Sequence, residues 1–448
     1  MKTMRILAAA LAAAVAAAGG ADADLLIENV TLIDGEGGAP QPGMHVLVKG
    51  AAIAAIADHA IEAPQEVVRI DGAGKFLIPG LIDTHVHLRG AADPGVKGAK
   101  ADRRAAKEAL ASYLYAGVTA IYDAGNDPDL IYSLRAEERA GKIAAPRIFA
   151  TGGIVTYPGS HGASPYATLV DDWPEALPLI KAHADRDPDL VKFTLEERGW
   201  GARPLIPLLP LDLLERLVAY YNDRGVRTTV HTSSELRARE AIFAGVDTLA
   251  HPVIQGPITD EFAALMGAKK IPMSSTLTIG ENYSRLAEHP DYLDQPLYQA
   301  AFSAEEIAKL KGETREEFQK RSWTWWMKIM TPIAQENLRK IHAAGGVIAV
   351  GTDQSNGAAV HREMELLVAA GIAPLDVITI ATRNAAHFLG KEKEIGAVRP
   401  GLAADLVLLD ADPTLDIDNA KRISAVIKAG VVIDRAALDL AGRAAQAD

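Results

Sequence analysis

Between residues 81 and 353, eight short apolar runs alternate with amphipathic helical segments, at 81–87, 118–123, 147–151, 190–195, 227–232, 248–252, 271–277 and 347–353. Apolar runs of this length, each followed by a helical period, are the pattern of a parallel sheet with crossover helices. Eight such units predict a (β/α)8 TIM-like barrel. An open doubly wound sheet carries fewer strands and a glycine-rich dinucleotide turn, and no GxGxxG follows the first run. No phosphate-binding GxxxxGK[ST] string occurs either, so nothing in the chain calls for a nucleotide. One connection is oversized: residues 278–330 separate the seventh run from a helix expected to begin near Thr331, and that length predicts a lid-like insertion or substrate wall.

The flanks have a different texture. Residues 24–77 read as short β-like runs broken by Gly35, Gly37, Gly38, Gly50 and Gly72. The same texture returns over 398–435, with Lys428-Ala429-Gly430 as a hairpin turn. Together they predict one small β-sandwich domain built from the N- and C-terminal segments, with 78–397 as the barrel. Ahead of both, Lys2 and Arg5 precede an Ala-rich apolar stretch over 6–18, and Ala21-Asp22-Ala23 supplies the small-x-small pattern of a cleavage site. Residues 1–23 are therefore read as a secretory signal, and the expected location is periplasmic or secreted. A retained anchor is the alternative, but the stretch is shorter than the ~20 residues a spanning helix needs.

Composition narrows the chemistry. A chain that is 49% hydrophobic and 23% charged can bury a large core, and a formal net charge of −12 argues against nucleic acid or an anionic membrane as partner. With no cysteine, thiolate nucleophiles and thiolate-bound metals are excluded. Any metal must be held by histidines and carboxylates.

Residues at i and i+2 on a strand share a side, so Asp83-Thr84-His85-Val86-His87 puts two imidazoles on one face at the end of the first strand. That spacing alone is common. His231 ends the fifth run, His251 the sixth and Asp353 the eighth, and in a barrel these are places on the rim where catalytic groups collect. Four histidines and a carboxylate there match a nitrogen- and oxygen-liganded catalytic metal site. Lys192 sits at the corresponding place on the fourth run, inside apolar neighbours. Two accounts stay open for it: a snorkelling or ion-paired side chain, with Glu196 or Glu197 as partner, or an N-carboxylated lysine whose carbamate oxygens bridge two metals.

The string Ile78-Pro79-Gly80-Leu81-Ile82-Asp83-Thr84-His85-Val86-His87, then Gly117-Val118-Thr119, His231, Gly245-Val246-Asp247-Thr248-Leu249-Ala250-His251 and Gly351-Thr352-Asp353 resembles the metal-dependent amidohydrolase superfamily. The run from Ala381-Thr382-Arg383-Asn384 through Gly396 to Ala403-Ala404-Asp405-Leu406-Val407 resembles its imidazolonepropionase and prolidase-like branch. The resemblance covers nearly all of the chain after the signal. It implies two divalent metal ions, zinc first among candidates, with His85 and His87 on one, His231 and His251 on the other, and carboxylated Lys192 between them. Asp353 would touch the first metal and shuttle protons while a metal-bridging hydroxide attacks an amide carbonyl. The implied substrate is a small-molecule amide or peptide, such as an N-acyl amino acid or dipeptide, and a homo-oligomer fits the same resemblance.

Mononuclear deaminases of the superfamily carry His-x-x-Glu after the fifth strand, whereas here Glu235 falls one residue late. A mononuclear cyclic amide or imidazolone hydrolase or deaminase is therefore the second reading, and a non-catalytic metal- or ligand-binding envelope protein the third. His161, after the third run, resembles a substrate-contacting histidine of the prolidase-like branch, although a solvated loop histidine reads equally well. Trp323, Trp325 and Trp326 are candidates to wall an apolar pocket, with Trp323 and Trp326 expected on the substrate, against the ordinary alternative of helix core.

Overall fold

The computed structural model describes residues 24–88, 102–197 and 205–444. The expected signal segment over 1–23 lies outside the described residues.

The chain opens with β1 (Leu25–Leu32), β2 (Gln41–Lys49), β3 (Ala52–Ala57), β4 (Val68–Asp71) and β5 (Phe76–Pro79). It continues through β6 (Leu81–Val86), β7 (Val118–Asp123), β8 (Arg147–Ala150), the two-residue β9 (Val155–Thr156) and β10 (Thr168–Leu169), then β11 (Leu190–Thr194), β12 (Arg227–His231), β13 (Thr248–Leu249), β14 (Met273–Ser274) and β15 (Ile348–Ala349). Three strands finish it: β16 (Leu406–Leu409), β17 (Ile423–Lys428) and β18 (Val431–Val432).

Every residue of β6, β7 and β11 is buried, the mark of parallel strands covered on both faces. β6, β7 and β8 pair in parallel, as do β11 to β15 in succession. Two seams join these sheets into an α/β TIM-like barrel. At one, the Asp189 amide donates to Ala150 O (3.0 Å) and the Lys192 amide to Thr151 Oγ1 (3.0 Å). At the other, the Thr84 amide donates to Val350 O (2.9 Å), and Val86 bridges Gln354 in parallel. All eight expected barrel strands are present, several of them shorter than their apolar runs.

The two flanks meet in one eight-stranded sheet of order β18-β17-β16-β5-β1-β2-β3, with β4 beside β1. β5, absent from the sequence reading, is the splice: it runs parallel to β1 and antiparallel to β16, so the returning C-terminal segment completes a sheet begun by the N-terminal one. The turn at Lys428-Ala429-Gly430 joins β17 to β18, with Ala429 at φ 49° and Gly430 at φ 79°.

The oversized connection corrects the sequence reading in one respect, the start of the helix that follows it. It is helical for most of its length, with helices Leu277–Glu288, Pro296–Ala301, Ala304–Lys309 and Arg315–Lys320. The long helix after it is Ser322–Ala343, beginning nine residues before the expected start at Thr331 and continuing through Pro332. A capping box announced part of this: Ser303 accepts from the Glu306 amide while Glu306 accepts from the Ser303 amide. Among the described residues, no helix is long and apolar enough to cross a membrane.

Gly351 shows how tightly the barrel closes. A Cβ there would stand 2.0 Å from Ser274 Oγ, 3.0 Å from His85 Cβ and 3.0 Å from Thr84 Oγ1. Gly351→Ala is expected to cost about 1–3 kcal/mol of stability through overpacking. Denaturant unfolding at constant m-value checks this, and an unchanged midpoint would show that Ser274 simply turns aside.

Candidate metal centre

The ends of β6, β12, β13 and β15 deliver the expected side chains to one point. His85 ends β6 but for one residue, and His87 lies just past it, so the period-2 alternation carries both rings to the same side. The ring centroids of His85 and His87 are 5.3 Å apart, those of His85 and His251 4.4 Å, and those of His231 and His251 4.4 Å. Asp353 Oδ1 lies 3.5 Å from His87 Nε2 and 3.8 Å from His85 Nε2. Ligand atoms of His85, His87 and Asp353 all fall within 4.8 Å of one another, close enough to share one ion.

The imidazoles are held for ligation. His85 Nδ1 lies 2.9 Å from Ala250 O and His87 Nδ1 2.6 Å from Gly125 O, contacts in which each Nδ1–H donates and each Nε2 keeps its lone pair facing inward. His251 Nδ1 lies 2.9 Å from Thr276 Oγ1. Burial keeps all four rings neutral. It drives His85, His231 and His251 well below the usual histidine range and His87 down to about 3, and the Lys192 charge adds to the effect on His85 and His87. Neutral, oriented histidines with a carboxylate are the donor set of a divalent metal, so these residues fit the group.

Lys192 is buried on β11, with Nζ 2.8 Å from His85 Nε2. Neither carboxylate considered as its ion-pair partner is there. Glu197 pairs with Arg237, and Glu196 accepts from Ser233 Oγ with its Oε2 3.8 Å from His231 Nε2. Desolvation lowers the Lys192 pKa to about 8, and desolvation raises that of Asp353 to about 6, each opposed by the other's charge. Asp353 adopts φ 53°, a left-handed conformation costly for a non-glycine residue, with its amide donating to His85 O at 2.7 Å.

Three buried acids passed over in the sequence do the positioning. Asp83 accepts from the amides of His85 (3.1 Å) and Thr352 (3.0 Å) and from Thr352 Oγ1 (2.7 Å), which locks the β6 end to the turn that carries Asp353. Asp123 accepts from the Gly125 amide (3.1 Å), so the carbonyl that orients His87 is itself held. Glu363 accepts from the amides of Leu277 and Thr278, each at 2.8 Å, and anchors the first inserted helix. Asp83 carried a signal, standing two residues before His85; Glu363 carried none, since its partners lie more than eighty residues away in sequence.

His161 is brought to the centre: its ring stacks on that of His231 at 4.0 Å and 19°. Trp323 and Trp326 lie in the first turns of Ser322–Ala343, partly buried against the main apolar cluster, while Trp325 is 39% exposed with Nε1 donating to Gln319 O. Glu235 stays away from the histidines: it accepts from the Thr259 amide (2.7 Å) and pairs with Arg239.

The sequence profile of the amidohydrolase family matches residues 76–433. Imidazolonepropionase of Shouchella clausii is 33% identical over 105 residues, 22% of this chain and 24% of that protein. That of Streptomyces avermitilis is 24% identical over 376 residues, 82% of this chain and 80% of its own length. The chain thus spans only about a quarter of the length of some of the curated relatives it matches. Among solved structures, a Xaa-Pro dipeptidase with bound methionine superposes with a TM-score of 0.73 at 23% identity, covering 92% of this chain and 100% of the other. Phenylurea hydrolase B superposes with a TM-score of 0.72 at 24% identity, covering 93% and 98%. At these identities the structural likeness speaks for the fold.

Proposed function

The chain belongs to the amidohydrolase family, and from that premise we propose that it hydrolyses the C–N amide bond of a small N-acyl amino acid, dipeptide or related amide at the centre formed by His85, His87, Lys192, His231, His251 and Asp353. The observation that carries the reading is the convergence of one ligand atom each from His85, His87 and Asp353 within 4.8 Å, with Asp353 Oδ1 3.5 Å from His87 Nε2 and 3.8 Å from His85 Nε2, on strand ends of a closed barrel.

Use of divalent metal goes with the family; two ions, and zinc as their identity, are our proposal. His85, His87 and Asp353 would hold one and His231 and His251 the other, with Lys192 reaching both as a carbamate. When bound, the metals supply Lewis-acid polarisation of the amide carbonyl and lower the pKa of the attacking water. The protein does the rest. The Nδ1 hydrogen bonds to Ala250 O and Gly125 O keep the ligating nitrogens unprotonated. The Asp353 carboxylate would accept the proton of the attacking water and return it to the departing nitrogen. His161, stacked on His231, and Trp323 and Trp326, half-buried at the start of Ser322–Ala343, are read as the residues that meet the substrate.

The remaining expectations accompany this reading. The terminal sheet is read as a small sandwich domain over 24–77 and 398–435 packed on a barrel over 78–397, and residues 1–23 as a signal that delivers the enzyme to the periplasm or outside. A homo-oligomer is compatible with it.

The test is turnover of a panel of N-acyl amino acids and dipeptides, with and without chelation. Hydrolysis is expected in the metal-loaded protein, to fall at least about 10²-fold on dialysis against a chelator, and to return on adding Zn²⁺. Equal turnover by chelated and loaded protein overturns the metal assignment. A loaded protein that cleaves no member of the panel overturns the substrate class.

A further inference from the structure

The insertion encloses a cavity of about 190 Å³ between Leu277–Glu288, the short segments after it and the loop that follows β15. Two of its lining residues are bonded to the backbone that carries Asp353. Thr278 Oγ1 donates to Thr352 O at 2.9 Å, and Gln354, next in the chain after Asp353, donates from Nε2 to Asp353 O at 3.1 Å. The cavity therefore adjoins the turn that carries Asp353.

Its charged groups are unevenly paired. Glu281 and Arg362 both line it and pair with each other at 2.8 Å, and Arg362 also pairs with Glu365 at 2.6 Å. Arg285 is the third ionisable group with a full charge in the lining, and among the described residues it has no carboxylate within ion-pair distance. It is held instead by aromatic groups: Nη1 donates to Tyr298 OH at 3.0 Å, and the guanidinium lies 4.0 Å from the ring centroid of Tyr292. Tyr292 and Tyr298 are themselves mostly buried, packed edge to face at 4.8 Å, so the guanidinium rests on a stiff platform. A partly desolvated guanidinium with one N–H engaged has several donors left, and the partner that satisfies them best is a carboxylate bound in a fork. Leu293 and Phe302 add apolar wall beside it.

We propose that this cavity is the subsite for a substrate carboxylate, with Arg285 as the specificity-determining residue, so that the enzyme selects acyl amino acids or dipeptides with a free carboxyl group and an apolar side chain. The assignment rests on the amide-hydrolase reading and adds to it the residue that recognises the amino-acid end.

The experiment compares N-acetyl-L-leucine with its neutral counterpart N-acetyl-L-leucinamide on the zinc-loaded protein, by kcat/KM where a compound is turned over and by calorimetric Kd where it is not. The carboxylate is expected to be preferred about 10²-fold, as for a buried charge pair. Arg285→Gln should abolish the preference, falling far more heavily on the leucine constant than on the leucinamide constant, and Arg285→Lys should keep part of it. Tyr298→Phe, which frees Nη1 without removing the charge, should weaken the preference several-fold and serves if the glutamine variant melts early. Absence of preference in the wild type, or a preference that survives Arg285→Gln, overturns the subsite. An Arg285-dependent preference in binding without turnover of any amide supports the subsite and rejects the hydrolase reading.

Discussion

On the proposed two-metal reading, Lys192→Ala is expected to leave one bound ion per chain or none and to lower kcat by more than about 10²-fold. The reason is local. Nζ lies 2.8 Å from His85 Nε2, the atom that must face the metal, so an unmodified amine donating there competes with ligation. Carboxylation would remove the amine's charge, add two acceptor oxygens and turn competitor into ligand. Short carboxylates such as formate or acetate should therefore restore part of both metal content and rate, which an ion-pair or packing role would not allow. Elemental analysis and steady-state kinetics on the same preparations decide it. A fully active, metal-replete Lys192→Ala protein would falsify the bridging role.

Asp353→Asn should leave shape nearly intact and remove the base, with kcat falling about 10²–10⁴-fold, the range of general acid–base catalysis. Burial raises the Asp353 carboxyl to about 6 in the absence of metal charge, with Lys192 pulling the other way. Cations at His85 and His87 add a stronger pull in the same direction, so in the loaded enzyme the acid limb of kcat/KM should lie below that value. The sign follows directly: activity is lost as pH falls through the Asp353 pKa, because the protonated carboxyl cannot accept from water. In Asp353→Asn that limb should vanish along with most of the rate. Near wild-type kcat in the asparagine variant, with metals still bound, would assign the proton transfer to another group.

The barrel and the candidate ligands are legible because both are written in local, period-2 patterns. His85 and His87 share a side by strand geometry, and each other candidate stands at the end of an apolar run. Where the helix after the insertion begins is not legible, for the opposite reason. The inserted helices are mostly short, and their start signals, the Ser303–Glu306 box and the prolines Pro290 and Pro296, give no register for Ser322, so length alone yields a lid-like insertion without its helices. The strand β5 was missed because Phe76–Pro79 is four residues long and ends in proline; its identity comes from pairing with β16, more than three hundred residues away.

What the sequence by itself determined is the class of chemistry and the candidate residues for it: no thiolate, no nucleotide loop, four histidines, a lysine and an aspartate at strand ends. What only the tertiary structure decided is which groups face one another. That Lys192 meets His85 rather than Glu196, that Asp83 reaches across to Thr352, that His161 stacks on His231 and that Arg285 has aromatic neighbours in place of a carboxylate all depend on barrel closure and on how the insertion folds back. Backbone periodicity sets the direction in which a side chain leaves its own strand or helix, and it acts over a few residues. The partner at the other end arrives through packing of segments tens to hundreds of residues apart, where burial of apolar surface chooses the arrangement and polar groups must then satisfy one another within it.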